Sequence, residues 1–225
     1  GPGMAAARLR RAFARSASQA RSGRRCIALS GVYLTQNLKN NIRKSLLEQG
    51  LTLSEKFILS SNNKIQEKFL KYLSTLEFKK ILLYSPYKNE IKLDLVLKKL
   101  NEMQKEIFIP KVFPNNELRF NLLESYNQLI KNKYNILESQ SNLFVKVNMI
   151  NVLVVPFLGV DANGKRLGYG GGYYDRALGN ILSKNDKPLI IGLGYDHQIL
   201  KENFGESHDL KYDKVFTETN IHNFS

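Results

Sequence analysis

The chain has 225 residues, 43% of them hydrophobic, and a formal net charge of +14. That length and apolar content suit one globular domain and exclude wholesale disorder. No apolar run approaches the roughly 18 residues that span a bilayer, and the single cysteine, Cys26, allows neither an internal disulfide nor a cysteine-based zinc cluster.

The charge is unevenly placed. Residues 1–30 hold seven arginines and no acid, so the remaining 195 residues carry +7. Residues 1–30 therefore read as a basic leader, and residues 31–225 as the folded domain. Gly1-Pro-Gly3 looks like a cloning remnant. Residues 4–30 have the Arg, Ala and Ser bias of an organellar transit peptide, with a vector-derived leader as the alternative. The compartment expected is the cytoplasm, or the mitochondrion if that segment directs import.

Along the domain, Leu38, Ile42 and Leu46 at four-residue spacing, closed by Gly50, predict a helix over 36–49. A second helix is expected over 54–73, with Phe57, Ile58, Ile65, Phe69 and Leu73 toward the core. Ile81–Tyr84, ended by Pro86, predicts a buried strand. Leu93, Val96, Leu97 and Leu100 fit one helix face. Ile107–Ile109 predicts a strand stopped by Pro110, and 118–122, 152–155 and 189–193 predict three more. A helix is expected from Tyr174 to Leu182. Strands alternating with helices, and apolar runs without alternation, predict an α/β fold. The expected form is a three-layer single domain, with a mostly parallel or mixed central sheet and helices on both faces.

The segment from Arg166 to Asp175 is the most informative. Four glycines, 168, 170, 171 and 172, fall within five positions, with an arginine before them and an aspartate after. Glycine lets main-chain N–H groups converge on an anion and lets a ligand approach the backbone. The arginine can fork onto a phosphate, and the aspartate can hold the Mg²⁺ that accompanies nucleotide phosphates. Helix capping is the competing role for Asp175. No Gly-Lys-Ser/Thr follows, so this is not a P-loop. The preceding apolar run stops at Pro156, ten residues before Arg166, which argues against a dinucleotide fingerprint.

Other candidates are weaker by themselves. Lys39 and Arg43, spaced i, i+4, suit a phosphate or carboxylate clamp or a solvated basic flank. Glu90 follows a strand and turn, where α/β sites lie. Asp209 and Asp213 near the C-terminus offer a second carboxylate for a metal. His197 and His208 lack metal-ligand spacing, and no Ser-His-Asp or Cys-His arrangement is visible.

Taken in order, these segments resemble the 5-formyltetrahydrofolate cyclo-ligase (methenyltetrahydrofolate synthetase) family. The resemblance rests on Pro156–Asp161 followed by Gly164–Arg176, supported by Lys39–Arg43, Pro86–Ile91, Ile109–Lys111, Gln198, and His208-Asp209 through Thr217-Glu218. Leu93, Ser139 and Asn151 depart from the family pattern. The resemblance implies an ATP-dependent cyclisation of 5-formyltetrahydrofolate to 5,10-methenyltetrahydrofolate, with Mg²⁺ as cofactor, by a monomer with no membrane or nucleic-acid partner. It implies that ATP is bound by Lys39, Asn40, Asn41, Ile42 and Arg43, and by Arg166, Leu167, Gly168, Tyr169, Gly170, Gly171, Gly172, Tyr173 and Tyr174. Folate would meet Arg43, Tyr84, Glu90 and the stretch Tyr169–Tyr173. The resemblance further implies catalytic roles for Arg166, Tyr173 and Asp175, and Mg²⁺ ligation by Asp175 and Asp213. The alternative is a non-catalytic nucleotide-, folate- or RNA-associated module on the same fold.

Overall fold

The computed structural model describes residues 35–114, 117–125, 129–132, 135–179 and 187–225. The leader expected over 1–30 lies outside them. The chain divides into two compact units, residues 1–42 and 43–225. In the first, residues 35–42 are helical and Lys39 is buried.

The second unit begins with a helix, α1, over residues 43–51. α2 (Glu55–Leu73) starts at Ser54, whose hydroxyl caps the N–H of Phe57. Then follow β1 (Lys80–Leu82), α3 (Asp94–Glu102), β2 (Glu106–Val112) and β3 (Leu118–Leu122). Two short strands, β4 (Leu129–Lys131) and β5 (Leu137–Ser139), form an antiparallel hairpin. β6 (Phe144–Val145), β7 (Val152–Val154), β8 (Gly159–Val160) and β9 (Arg166–Leu167) precede α4 (Tyr173–Leu178). β10 (Leu189–Leu193), β11 (Lys214–Phe216) and β12 (Ile221–Asn223) complete the unit.

Eight strands make the main sheet, in the order β12-β11-β10-β7-β1-β2-β3-β6. The five from β11 to β2 are parallel, and antiparallel strands close both sides. Alternate residues of the parallel strands face opposite layers. Ile81, Val152, Val154, Ile191 and Leu193 pack with Ile65, Phe69 and Leu73 of α2 and Val96 and Leu100 of α3. Leu82, Leu153, Val155 and Ile190 pack on the other face with Leu178 of α4. The continuous apolar runs are thus covered on both sides, and the sheet is mixed with helices on both faces.

Several local expectations change. Phe57 is exposed; the buried stripe of α2 instead includes the polar residues Ser61, Asn62 and Gln66. These serve α3 and the chain leading into it. Asn62 Oδ1 accepts from the N–H of Lys92, and Gln66 Oε1 accepts from those of Leu95 and Val96. Leu93, at the N-cap of α3, has no side-chain cap bond, so Gln66 satisfies first-turn donors in its place. β2 does not stop at Pro110 but runs through it. The pairing with β1 ends at Leu82 and Phe108, so no donor is missed where proline supplies none. α4 ends at Leu178, and residues 180–182 of the expected helix lie outside the described residues.

Candidate functional site

Loops at the carboxyl ends of the parallel strands surround a cavity of about 340 Å³. Ser85, Tyr87 and Glu90 enter from the β1 loop, Pro110 and Val112 from β2, and Pro156 from beyond β7. Arg166, Gly168, Tyr169 and Gly171 to Tyr174 supply a further wall, and Asn132, Ile136 and Glu138 come from the β4–β5 hairpin. The volume is that of a small-molecule pocket.

Arg166 is buried, with 6% of its surface exposed. Its Nε donates to the Pro156 carbonyl (2.7 Å), and its Nη1 donates to Asp175 Oδ2 (3.0 Å). The guanidinium also stands over the ring of Tyr174, 5.4 Å from its centroid. A charge this buried is tolerable because it is paired and hydrogen-bonded. The pairing also fixes the role of Asp175. The N-cap of α4 is Gly172, which makes no side-chain cap bond, so Asp175 is not the cap. Its second oxygen accepts a long bond from the N–H of Leu210 (3.4 Å).

Within the glycine run, left-handed backbone falls at Gly170 (φ 104°) and Gly172 (φ 62°), where a side chain would be strained. Gly171 is required for a different reason. A Cβ there would come within 2.7 Å of the Tyr173 ring. Arg43 reaches the same loop from α1, its Nε donating to the Gly168 carbonyl at 2.9 Å. Gly159 lets α1 approach, since a Cβ would sit 2.8 Å from Leu46 Cδ1. Burial lowers the pKa of Arg43; Asp209 and Asp175 oppose that shift, and Arg166 reinforces it. Arg43, Arg166, Asp175 and Asp209 therefore form one electrostatic group.

Glu90 is held by the N–H of Tyr87, which donates to Oε2 at 2.8 Å. Burial pushes its carboxyl up to about 7, against the pull of that N–H and of Arg166. Asn89 Nδ2 donates to the Gly50 carbonyl (2.7 Å) and ties the Glu90 loop to the end of α1. At the cavity, the Tyr87 and Tyr169 rings meet edge to face at 5.8 Å.

The structure brings Arg43, Glu90, Arg166, Asp175 and the loop Gly168–Tyr174 into this region. Tyr84 and Asp213 are placed elsewhere. Tyr84 points into the core on the α2–α3 side, where its hydroxyl donates to the Ile91 carbonyl at 2.7 Å. Past the end of β1, Leu83 and Tyr84 are both buried in that core cluster, which leaves Ser85 as the residue lining the cavity. Asp213 immediately precedes β11, where Oδ1 accepts from Lys187 Nζ (2.7 Å) and Oδ2 from the N–H of Ile190 (2.9 Å). It thus stands at the amino ends of β10 and β11, whereas the cavity lies at the carboxyl ends of the parallel strands. Leu167 is buried and joins the loop through its main chain, accepting from the N–H of Leu158. Lys39, Asn40, Asn41 and Ile42 belong to the first unit, where Asn40 accepts from Gln36 Nε2.

Sequence reasoning offered Asp209 and Asp213 together for a second carboxylate; Asp209, in the turn before β11, is the acid grouped with Arg43 and Asp175. The hairpin carrying Asn132, Ile136 and Glu138 was missed, because its strands are three residues long and weakly apolar.

These features define an α/β protein whose small-molecule site lies at the carboxyl edge of a parallel sheet, the usual place for one. Over residues 35–218 the sequence matches the 5-formyltetrahydrofolate cyclo-ligase family, and the chain belongs to that family. The 5-formyltetrahydrofolate cyclo-ligase of Mycoplasma pneumoniae is 30% identical over 71% of this chain and 87% of its own length. The Mus musculus enzyme is 27% identical over 82% and 90%. Among solved structures, the Aquifex aeolicus 5,10-methenyltetrahydrofolate synthetase superposes with a TM-score of 0.68 at 30% identity, covering 83% of this chain and 93% of that one. The M. pneumoniae synthetase gives 0.66 at 26%, covering 80% and 98%.

Proposed function

We propose that the chain performs the cyclo-ligase reaction of its family, converting 5-formyltetrahydrofolate and ATP to 5,10-methenyltetrahydrofolate, ADP and phosphate. The observation that carries this reading is the opening of the glycine loop, with its buried Arg166–Asp175 pair, onto the same cavity as Glu90. The formyl oxygen attacks the γ-phosphorus, ADP leaves, and an iminium phosphate forms. N10 of the folate then attacks the activated carbon, N10 loses its proton, and inorganic phosphate departs with the former formyl oxygen.

The protein's part is alignment and charge neutralisation. Main-chain N–H groups of residues 168–172, with Arg43 and Arg166, receive the phosphates. Glu90 accepts from the donor edge of the pterin, and Tyr169 to Tyr173 border the formyl group. Mg²⁺ needs oxygen ligands and commonly takes one or two carboxylates. Asp175 and Asp209 fit that need, and the ion would neutralise phosphate charge. We take the enzyme to be a monomer of the cytoplasm. The mitochondrion is the alternative if residues 4–30 direct import; a relative from Arabidopsis thaliana bears the name of a mitochondrial cyclo-ligase. Among the described residues no helix is long and apolar enough to cross a membrane.

Mixing the protein with Mg-ATP and 5-formyltetrahydrofolate should generate the near-UV absorbance of the methenyl product, with ADP release that requires the folate. A binding module would release no ADP, and an RNA-associated one would bind RNA with steep salt dependence.

A further inference from the structure

The β4–β5 hairpin supplies Asn132, Ile136 and Glu138 to the cavity but belongs to no larger sheet. What holds it there is therefore a functional question. Along β2, the main-chain groups of Phe108 face β1: the N–H of Leu83 donates to the Phe108 carbonyl at 2.9 Å. Alternate residues share that direction. Those of Ile107 and Phe113 face β3, as the bonds Leu123 N to Ile107 O and Phe113 N to Glu117 O record. Pro110 and Val112 thus turn toward the edge that β1 has already left. Pro110 has no N–H to satisfy. Val112 has one, and it donates to Glu138 Oε1 at 3.0 Å.

The same oxygen accepts from Asn132 Nδ2 at 2.8 Å, across the turn of the hairpin. Glu138 is 92% buried, with 8% of its surface exposed. A buried carboxylate is costly unless hydrogen-bonded, so this arrangement strongly selects one position of the hairpin. Two neutral tethers accompany it: Ser85 Oγ donates to the Leu137 carbonyl, and Ser139 Oγ donates to the Leu122 carbonyl at 2.7 Å.

We propose that Glu138 is a positioning residue for the folate, latching the hairpin to the open edge of β2 and so setting the wall formed by Asn132 and Ile136. The proposal rests on reading the cavity as the folate site. Because the latch lies in the hairpin and not on the glycine loop, its loss acts on folate affinity and leaves ATP alone.

The test measures kcat and both KM values for wild type, Glu138→Ala and Glu138→Gln, with melting temperatures. Glu138→Ala should raise the folate KM about tenfold, the scale of a charged hydrogen bond, with the ATP KM within about twofold of wild type by the same scale. Glu138→Gln keeps a carbonyl oxygen for Val112 and Asn132 and should restore the folate KM to within about threefold. If alanine unfolds the protein, Glu138→Asp, which keeps the charge but shortens the reach, should show the raised folate KM instead. An unchanged folate KM in Glu138→Ala overturns the proposal, as does a parallel rise in the ATP KM. A glutamine variant as impaired as alanine also overturns it, because that marks direct contact with substrate. If wild type itself shows no folate-dependent ADP release, the folate reading has failed. If wild type turns over normally, only the latch has been tested.

Discussion

The segment Arg166–Asp175 and the hairpin β4–β5 line one cavity, yet they are held in place differently. The first is a single stretch of chain with a strong internal brace: Arg166 bonds Asp175 nine residues later, and Gly170 and Gly172 supply the turns, while Arg43 and Leu210 add anchors from outside. The second is held from outside, through Val112, Ser85 and Leu122, each from a different part of the sheet. A wall of the first kind carries much of its geometry in its own sequence. A wall of the second kind takes its geometry from partners 17 to 52 residues away.

The comparison predicts different kinetic signatures. Variants of the glycine wall should strike kcat and ATP, and variants of the hairpin wall should strike folate KM. The largest effect belongs to Arg166. Arg166→Ala leaves Asp175 without its counter-ion and should cost about 3–5 kcal/mol of stability. Turnover should fall by about 10³-fold, the scale of a lost transition-state charge stabiliser. Asp175→Asn should lower turnover by about 10²-fold and stability by about 1–3 kcal/mol, since the guanidinium stays buried with a neutral partner. Thermal melting and folate-dependent ADP release measure both. A large rise in folate KM with unchanged kcat in either variant would erase the distinction between the walls.

This difference also explains what was legible in the sequence. The α/β class was readable because Ile81–Leu83, Val152–Val155 and Leu189–Leu193 are short unbroken apolar runs, and burial on both faces produces such runs. The glycine loop was readable because its residue types are adjacent. Asp209 was readable only as one of two candidate acids near the C-terminus, and Glu138 not as a site residue at all, since neither has a local pattern. Asp209 acquires meaning from Arg43, and Glu138 from the donor that β1 leaves behind at Val112. Tyr84 misled for the reverse reason. It stands one residue before Ser85, which lines the cavity, but beyond the end of β1 the alternation breaks and its ring joins Leu83 in the core. The departures from the family pattern have local accounts as well. Gln66 does the capping that Leu93 cannot, Ser139 ties β5 to Leu122, and Asn151 Oδ1 accepts from the N–H groups of Lys79 and Lys80.

Glu90 lies between the two walls, and its titration offers a smaller, pH-dependent effect. Its carboxyl titrates near 7 in the folded chain against an ordinary 4.5. The folded protein therefore holds this proton more tightly than the unfolded chain does. The stabilisation from that proton is fully present below about 4.5 and is lost as pH rises through about 7. Ligand binding runs the other way. The donor edge of a pterin favours the ionised carboxylate, so folate affinity should rise with pH through the same window while unliganded stability falls. Glu90→Gln should flatten both profiles and weaken folate binding by about 1.5–3 kcal/mol, with ATP affinity unchanged. Calorimetric titration of each ligand between pH 5 and pH 8 checks this. A variant that loses ATP and keeps folate would assign Glu90 to the wrong ligand.

The smallest expected effect probes whether the hairpin wall acts as a unit. Ser85 sits in the loop that carries Glu90, and its hydroxyl bonds the Leu137 carbonyl next to Glu138. Ser85→Ala removes one neutral hydrogen bond and should cost about 0.5–1.5 kcal/mol, read as a few-fold rise in folate KM with kcat and ATP KM unchanged. The informative measurement is the double variant with Glu138→Ala. If both residues hold the same hairpin, releasing it once leaves little for the second substitution to release. The combined effect on folate KM should then fall short of the product of the single effects by a coupling of about 0.5 kcal/mol or more. Strict additivity would mean that Ser85 and Glu138 act on the ligand separately. The hairpin would then be a set of independent contacts, and the contrast with the internally braced glycine wall would not hold.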